Sequence, residues 1–105
     1  MVQMIENWSC ILGVLLGIIA PPQGGDGRGG LRVRVDRVEP VVGFANLLAD
    51  RTGDTLEILV TTEQLAQAQE HVGEPVRIRV RRGGPSRVFA HPDWRPGQDD
   101  GCQDQ

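Results

Sequence analysis

Arginine recurs at every second position in two segments of the chain, and this spacing is the clearest sign of chemistry in the sequence. The segments are 31–38 and 76–81, and the arginines that alternate with apolar residues there are Arg32, Arg34, Arg77, Arg79 and Arg81. Guanidinium groups form paired hydrogen bonds with oxyanions, so such a row could bind an anion or an acidic partner. A half-buried strand with one face in water produces the same pattern, and a solvated face is the simplest interpretation.

Nucleic acid is a third interpretation of the arginine rows. Small barrels that bind single strands combine a basic groove with aromatic rings that stack on the bases. The chain has no tyrosine and no lysine, and few of its rings fall in predicted strands. Its aromatic residues are Trp8, Phe44, Phe89 and Trp94. We therefore rank nucleic acid below a solvated face and below an anion site.

Two threonines mark the start of the one predicted helix. The run from Thr61 to Gln64 reads as a capping box, in which Gln64 reaches back to the residue that caps the helix. Capping is the first interpretation of Thr61 and Thr62. The alternative is that backbone N–H groups at this helix start, together with the helix dipole, hold a small oxyanion.

Residue types exclude or disfavour several catalytic classes. All 11 basic residues are arginine, so the chain lacks the lysine of a Walker A loop and cannot form Schiff bases. Residues 25–30 fit GxGxxG by letter, but a strand rather than a helix is predicted to follow them. His71 and His91 lack metal-site spacing, and no serine lies in a GxSxG elbow. We predict a protein that is not an enzyme and that has no metal and no cofactor.

The elements that must position these residues are mostly strands. Proline and glycine interrupt the chain at 21–30. Strands are predicted over 10–20, 31–38, 41–50, 55–60, 76–81 and 86–90, with a helix from Thr61 or Thr62 that ends before Gly73. This order predicts an all-β fold, a small OB-like Greek-key barrel of five to six strands with one short helix. We divide the chain into an extra N-terminal strand and loop (1–30), the barrel (31–95) and a disordered acidic tail (96–105).

The apolar run 10–20 and the two cysteines bear on cellular location. The run is too short to cross a bilayer as a helix, and no basic residue precedes it, so we interpret it as a core strand. A secretory signal sequence is the alternative. Cys10 and Cys102 are far apart in sequence and are expected to be free thiols in a reducing cytosol. We therefore predict a cytoplasmic protein that does not insert into a membrane.

Residues 31–91 resemble the transport-associated OB domain, TOBE, found at the C-terminus of the ATP-binding subunits of ABC importers. The matching segments are 35–43, with Glu39 and Gly43, then 56–60, Gly73 to Val76, and Ser86 to Phe89. The resemblance implies a non-enzymatic accessory or regulatory module of a bacterial importer for sulfate, molybdate or sugars. It also implies an ATP-binding subunit or a second copy of the chain as partner, and a position beside the inner membrane through the transporter.

The related molybdate-binding module, molbindin, is similar over residues 60–64 and 76–82. In that family short polar side chains and backbone amides hold the oxyanion. The resemblance adds Ser9 and Arg81 to Thr61 and Thr62 as candidate anion-binding residues. It implies a second function, a stand-alone protein that binds molybdate, tungstate or sulfate, and a nucleic-acid-binding OB module is the third.

Overall fold

The chain folds into a closed five-stranded β-barrel. A computed structural model describes residues 7–21, 28–83 and 87–96. The strands are β1 (Ser9–Ile19), β2 (Gly29–Pro40), β3 (Thr55–Val60), β4 (Pro75–Arg82) and β5 (Val88–Ala90), and helix α1 (Thr62–Ala68) lies between β3 and β4. Around the barrel the order is β1-β2-β3-β5-β4. All neighbours are antiparallel except β3 and β5. The predicted fold class, an all-β OB-like barrel with one short helix, is confirmed.

Alternation of residue types places the core inside the barrel. The inward residues of β2 and β4 are fully buried, whereas the arginines between them are exposed or half-buried. The inward set on these two strands is Leu31, Val33, Val35, Ile78 and Val80. Burying each such side chain contributes about 1.5–3 kcal/mol, so the period-2 pattern decides which face of each strand turns inward.

Strand β1 bends where it passes closest to β2. Its register against β2 shifts between Leu12 and Gly13 and again between Leu15 and Gly17. A Cβ atom at Gly13 would lie 1.9 Å from the carbonyl oxygen of Arg34. Only glycine allows this approach, and such irregularities supply the curvature that a small barrel needs to close.

Helix α1 begins with the predicted capping box. The Gln64 N–H donates to Thr61 Oγ1 at 3.1 Å, and the Thr61 N–H donates to Gln64 Oε1 at 3.1 Å. Leu65 and Ala68 are buried in the core. The helix therefore starts where the sequence predicts and covers the barrel with its apolar side.

Three sequence predictions need correction. Residues 41–50 do not form a strand: they turn at Gly43, where φ is +91°, and end in a 3-10 helix, Ala49–Arg51. Only Val41 and Leu48 of this segment are buried, which explains an apolar run without alternation. The strand assigned as an N-terminal addition is β1, which closes the barrel between β2 and β4. The tail beyond residue 96 lies outside the described residues.

The third correction concerns Cys10, which is disulfide-bonded rather than free. Cys102, the other cysteine of the chain, lies outside the described residues. Sequence separation misled the prediction, because a disulfide requires only that two Cα atoms lie within about 4.4–6.8 Å in space.

The two glycines of β1 provide a matched test of barrel closure. Gly13→Ala should lower the free energy of unfolding by about 1–3 kcal/mol, because the new methyl group meets the backbone of β2. Gly17→Ala is the control, since a Cβ atom there would have no neighbour within 4 Å. Urea denaturation followed by circular dichroism measures both, and equal stability of the two variants would contradict the assignment.

Candidate functional site

A groove of about 480 Å³ lies where β4 and β5 meet the residues that precede β1 and β2. Three rings line it, those of Trp8, Phe89 and His91, together with the guanidinium groups of Arg28 and Arg81. Another cavity, of about 240 Å³, is lined by three aliphatic and four polar or charged side chains, and no described residue of its lining carries an aromatic ring. The larger groove is therefore the candidate site.

Phe89 forms one wall of this groove. It pairs with Arg81 across the β4–β5 ladder and with Leu59 on β3. The Arg28 guanidinium carbon lies 5.3 Å from the centre of the Phe89 ring, which is a cation–π distance. A Cβ atom at Gly83 would lie 2.9 Å from the ring, so the chain leaves just enough space for Phe89 beside the β4–β5 connection.

Trp8 and His91 form a second part of the lining. Their ring centres are 5.1 Å apart and the rings are tilted by 48°, an arrangement in which aromatic pairs attract each other. The His91 N–H donates to the carbonyl oxygen of Arg79 at 2.8 Å. The Trp8 N–H donates to the carbonyl oxygen of Ala45 at 3.2 Å. The backbone of each of these two residues is therefore held by a hydrogen bond to another segment of the barrel.

The side chain of Asn7 fixes the backbone next to Trp8. Its Nδ2 donates to the carbonyl oxygen of Arg82 at 3.0 Å, and its Oδ1 accepts the Arg82 N–H at 2.8 Å. The side chain amide therefore satisfies both backbone groups of Arg82 and is itself only 3% exposed. Trp8 is held beside the end of β4 by this contact.

The side chain of Gln64 anchors the backbone segment that carries His91. Its Nε2 donates to the carbonyl oxygens of His91 at 2.9 Å, Pro92 at 3.2 Å and Trp94 at 3.0 Å. Trp94 is buried, and its Nε1–H donates to the carbonyl oxygen of Arg77 at 3.0 Å. The segment that carries His91 is therefore tied both to the helix and to β4.

The groove is positively charged. None of the described residues that line it is acidic, and Arg81 is exposed and forms no ion pair with a described residue. Elsewhere on the barrel arginines pair with carboxylates, as in Arg34 with Asp36 and Arg37 with Glu39. Arg81 differs from these two arginines, because it lies beside the rings and has no ion pair with a described residue.

Comparison with known proteins names no relative. The chain matches no protein-family model, no curated protein and no solved structure. The site must be interpreted from its own geometry.

Of the four predicted anion-binding residues, the structure places only Arg81 in the groove. Ser9 is completely buried, and its Oγ donates to Asn46 Oδ1 at 2.6 Å. Thr61 is the helix cap, with its Oγ1 engaged by Gln64, and Thr62 is the first helical residue. Among the described residues, no three His, Cys, Asp or Glu side chains are grouped to hold a metal ion.

Sequence reasoning missed the convergence of the three rings. Trp8, Phe89 and His91 lie at the two ends of the described chain, and only the closing of the barrel brings them together. The sequence did contain one signal. Phe89 and His91 flank Ala90 at the alternating spacing of a strand and its end, which places both on the outer face with Arg81.

Replacing Asn7 tests whether its side-chain amide stabilises the part of the barrel that carries Trp8. Asn7→Ala should lower the free energy of unfolding by about 1–3 kcal/mol, because the backbone N–H and C=O of Arg82 lose their partners in a part-buried position. Asn7→Asp should be at least as unstable as Asn7→Ala, because a buried carboxylate oxygen would then face the Arg82 carbonyl oxygen. Denaturation midpoints in urea measure the order, and an Asn7→Ala protein as stable as the parent would show that the contact is dispensable.

Proposed function

We propose that this chain is a non-enzymatic OB-type module that binds single-stranded nucleic acid in the groove of Trp8, Phe89 and His91. The observation that supports this most is the combination of three rings with two arginines in one groove, where none of the described lining residues is acidic. The sequence alone ranks nucleic acid last, because the chain has no tyrosine, no lysine and few rings in predicted strands. The groove nevertheless brings three rings together with two arginines, and this juxtaposition favours the proposal.

The rings supply stacking surfaces for bases. Stacking a base on an aromatic side chain is worth about 1–3 kcal/mol and tolerates any sequence, because every base has a π face. Phe89 pairs with Arg81 across the β4–β5 ladder, and the contacting Trp8 and His91 rings line the same groove. The walls are therefore suited to planar groups.

The arginines supply the phosphate contacts. Arg81 has no ion pair to give up among the described residues, so binding an anion there breaks no contact with them. For single strands the slope of log K against log salt is about −0.7 for each phosphate neutralised. A groove with one or two arginine contacts should therefore show a shallow but measurable salt dependence.

The position of the groove on the barrel also supports this function. OB folds bind oligonucleotides and oligosaccharides beside the β1–β2 and β4–β5 connections. Arg28 directly precedes β2, and Arg81 and Phe89 flank the β4–β5 connection. This support is an analogy between folds, and the groove chemistry is the independent argument.

The other two functions stay predictions. An accessory role in an ABC importer is supported by the barrel and by the segments that resemble TOBE, and a pull-down with an importer ATP-binding subunit tests it. Oxyanion binding is supported by Arg81 alone among the four residues predicted for it, and calorimetry with molybdate, tungstate and sulfate tests it.

Cellular location stays a prediction as well. No helix among the described residues is both long enough and apolar enough to cross a membrane. The disulfide at Cys10 speaks against the cytoplasm, because disulfides persist mainly in oxidising compartments. Counting free thiols after alkylation in intact cells decides between the two.

Single-stranded DNA of about 12 nucleotides, within the range of OB site sizes, should bind and raise the fluorescence anisotropy of a label on the DNA. Phe89→Leu should weaken binding by about 1–3 kcal/mol without changing the salt slope, because a stacking surface is lost and no charge is removed. Arg81→Gln should reduce the slope by about 0.7, because one phosphate contact is lost.

Arg37→Gln is the control for charge, because Arg37 is exposed on β2, pairs with Glu39 and does not line the groove. It should change affinity less than Arg81→Gln does. Absence of binding at low salt, or equal effects of the two arginine substitutions, would overturn the proposal.

A further inference from the structure

We propose that the acidic segment 97–105 is an autoinhibitory strap. The disulfide at Cys10 fastens it to the outer face of the barrel, where it covers Arg77 and Arg79 and competes with phosphate for them. The inference rests on the proposed function and adds regulation of the same surface. Its basis is the position of Cys10 beside Arg79, together with the charge of the segment that contains the other cysteine of the chain.

Cys10 lies on the outer face of β1. The next residue, Ile11, pairs with Ile78 of β4, and both are fully buried in the core. Successive side chains of a strand point to opposite faces, so Cys10 and its pairing partner Arg79 both point out of the barrel. A disulfide formed by Cys10 therefore has its second cysteine on the outside of the barrel.

Cys102 is the partner that the chain itself provides, because the sequence has only two cysteines. The Cα atoms of a disulfide lie within about 4.4–6.8 Å of each other. Cys10 and Arg79 face each other across the β1–β4 ladder, where opposite Cα atoms lie about 4.5–5.5 Å apart. A segment that is fastened to Cys10 is therefore next to the arginine row of β4.

The last described residues lie close enough to this face for the rest of the chain to reach it. Trp94 is held against β4, because its Nε1–H donates to the carbonyl oxygen of Arg77 at 3.0 Å. Residues 95–102 can span at most about 26–29 Å when extended. Since β4 and β1 are neighbours, about 4.8 Å apart, this length is sufficient to cross from Arg77 to Cys10.

The charge of the strap complements the arginine row. Its acidic residues are Asp99, Asp100 and Asp104, and it contains no basic residue. Asp100 precedes Cys102 by two residues, and Arg77 precedes Arg79 by two residues in β4. Two residues of extended chain span about 7 Å in either case. With Cys102 beside Arg79, the aspartates before it can therefore reach Arg77 and Arg79.

Exposure along the row differs in the way that such a strap would cause. Arg77, Arg79 and Arg81 alternate with buried residues, so all three point outward. Arg81 is exposed, whereas Arg77 and Arg79 are half-buried and the Nε atom of Arg79 is inaccessible to solvent. Cys10, on the same outer face, is only 1% exposed. In the disulfide-bonded protein Arg81 is therefore the phosphate contact of the row, and release of the strap adds the other two.

The test compares single-stranded DNA binding by the disulfide-bonded parent and by two variants. Cys102→Ser removes the tether, and Asp99→Asn with Asp100→Asn removes the competing charges while keeping the disulfide. Each should bind a labelled strand of about 12 nucleotides about threefold to tenfold more tightly, because ion pairs at a protein surface are weak. The slope of log K against log salt should steepen by about 0.7 for each arginine released. Fluorescence anisotropy measures both quantities.

Reduction of the parent protein should have the same effect as Cys102→Ser. A dithiol such as dithiothreitol supplies two electrons and two protons, so that the protein gains two thiols and the dithiol becomes a cyclic disulfide. Counting two thiols per chain shows that the reaction is complete, and the affinity is then measured as before.

The matched control is Asp50→Asn with Glu70→Gln. It also removes two negative charges, from exposed residues of two 3-10 helices rather than from the strap. It should change the affinity less than twofold, because salt screens exposed charges that lie more than about 10 Å from the bound strand. A gain equal to that of the Asp99 and Asp100 double variant would overturn the proposal.

The remaining outcomes separate the strap from the proposed function. Unchanged affinity and salt slope in Cys102→Ser and in the double variant overturn the strap and leave single-strand binding standing. Peptide mapping without reduction needs no ligand. It should find Cys10 joined to Cys102 within a monomeric chain, and any other partner overturns the strap. Absence of DNA binding by every form overturns both.

Discussion

The closed barrel exists because β1 can approach β2 and β4 at the same time. Its inward residues Ile11 and Leu15 are fully buried in the core, and its backbone pairs with both neighbours along most of its length. Gly13 is the point where this double pairing would fail with any side chain, since the Arg34 carbonyl oxygen occupies the space. Every other feature, including the groove, depends on that contact.

The groove depends on two side-chain amides that replace backbone hydrogen bonds. Asn7 pairs with the N–H and C=O of Arg82 at the end of β4, and Gln64 joins helix α1 to three carbonyl oxygens in 91–94. Both are nearly inaccessible to solvent. Buried polar groups are costly when they lose a partner. These contacts therefore hold the backbone next to Trp8 and His91, and the conformational entropy of the two rings is already reduced in the folded chain.

Most of the barrel could be predicted from the sequence, and the groove could not. Strict alternation at 31–38, 55–60 and 76–81 marks half-buried strands, and the observed strands include all three segments. The strand predicted over 41–50 was wrong because Val41 and Leu48 are buried side chains of a loop. Burial of this kind leaves no periodic pattern in the sequence. The alternation at 76–81 could place Arg81 on the outer face of a strand. Its aromatic neighbours could not be predicted, because the pairing of residues 8, 81, 89 and 91 is set by tertiary topology rather than by spacing.

The same topology has a consequence for how the protein matures. Trp8 contacts His91, and β1 pairs with β4. Segments that are more than 60 residues apart in sequence must therefore meet before all the residues that line the groove are in place. Folds dominated by such distant pairings form in milliseconds to seconds rather than microseconds. A chain still being synthesised, with β1 to β3 already outside the ribosome, therefore has no complete groove until β5 and Trp94 have followed.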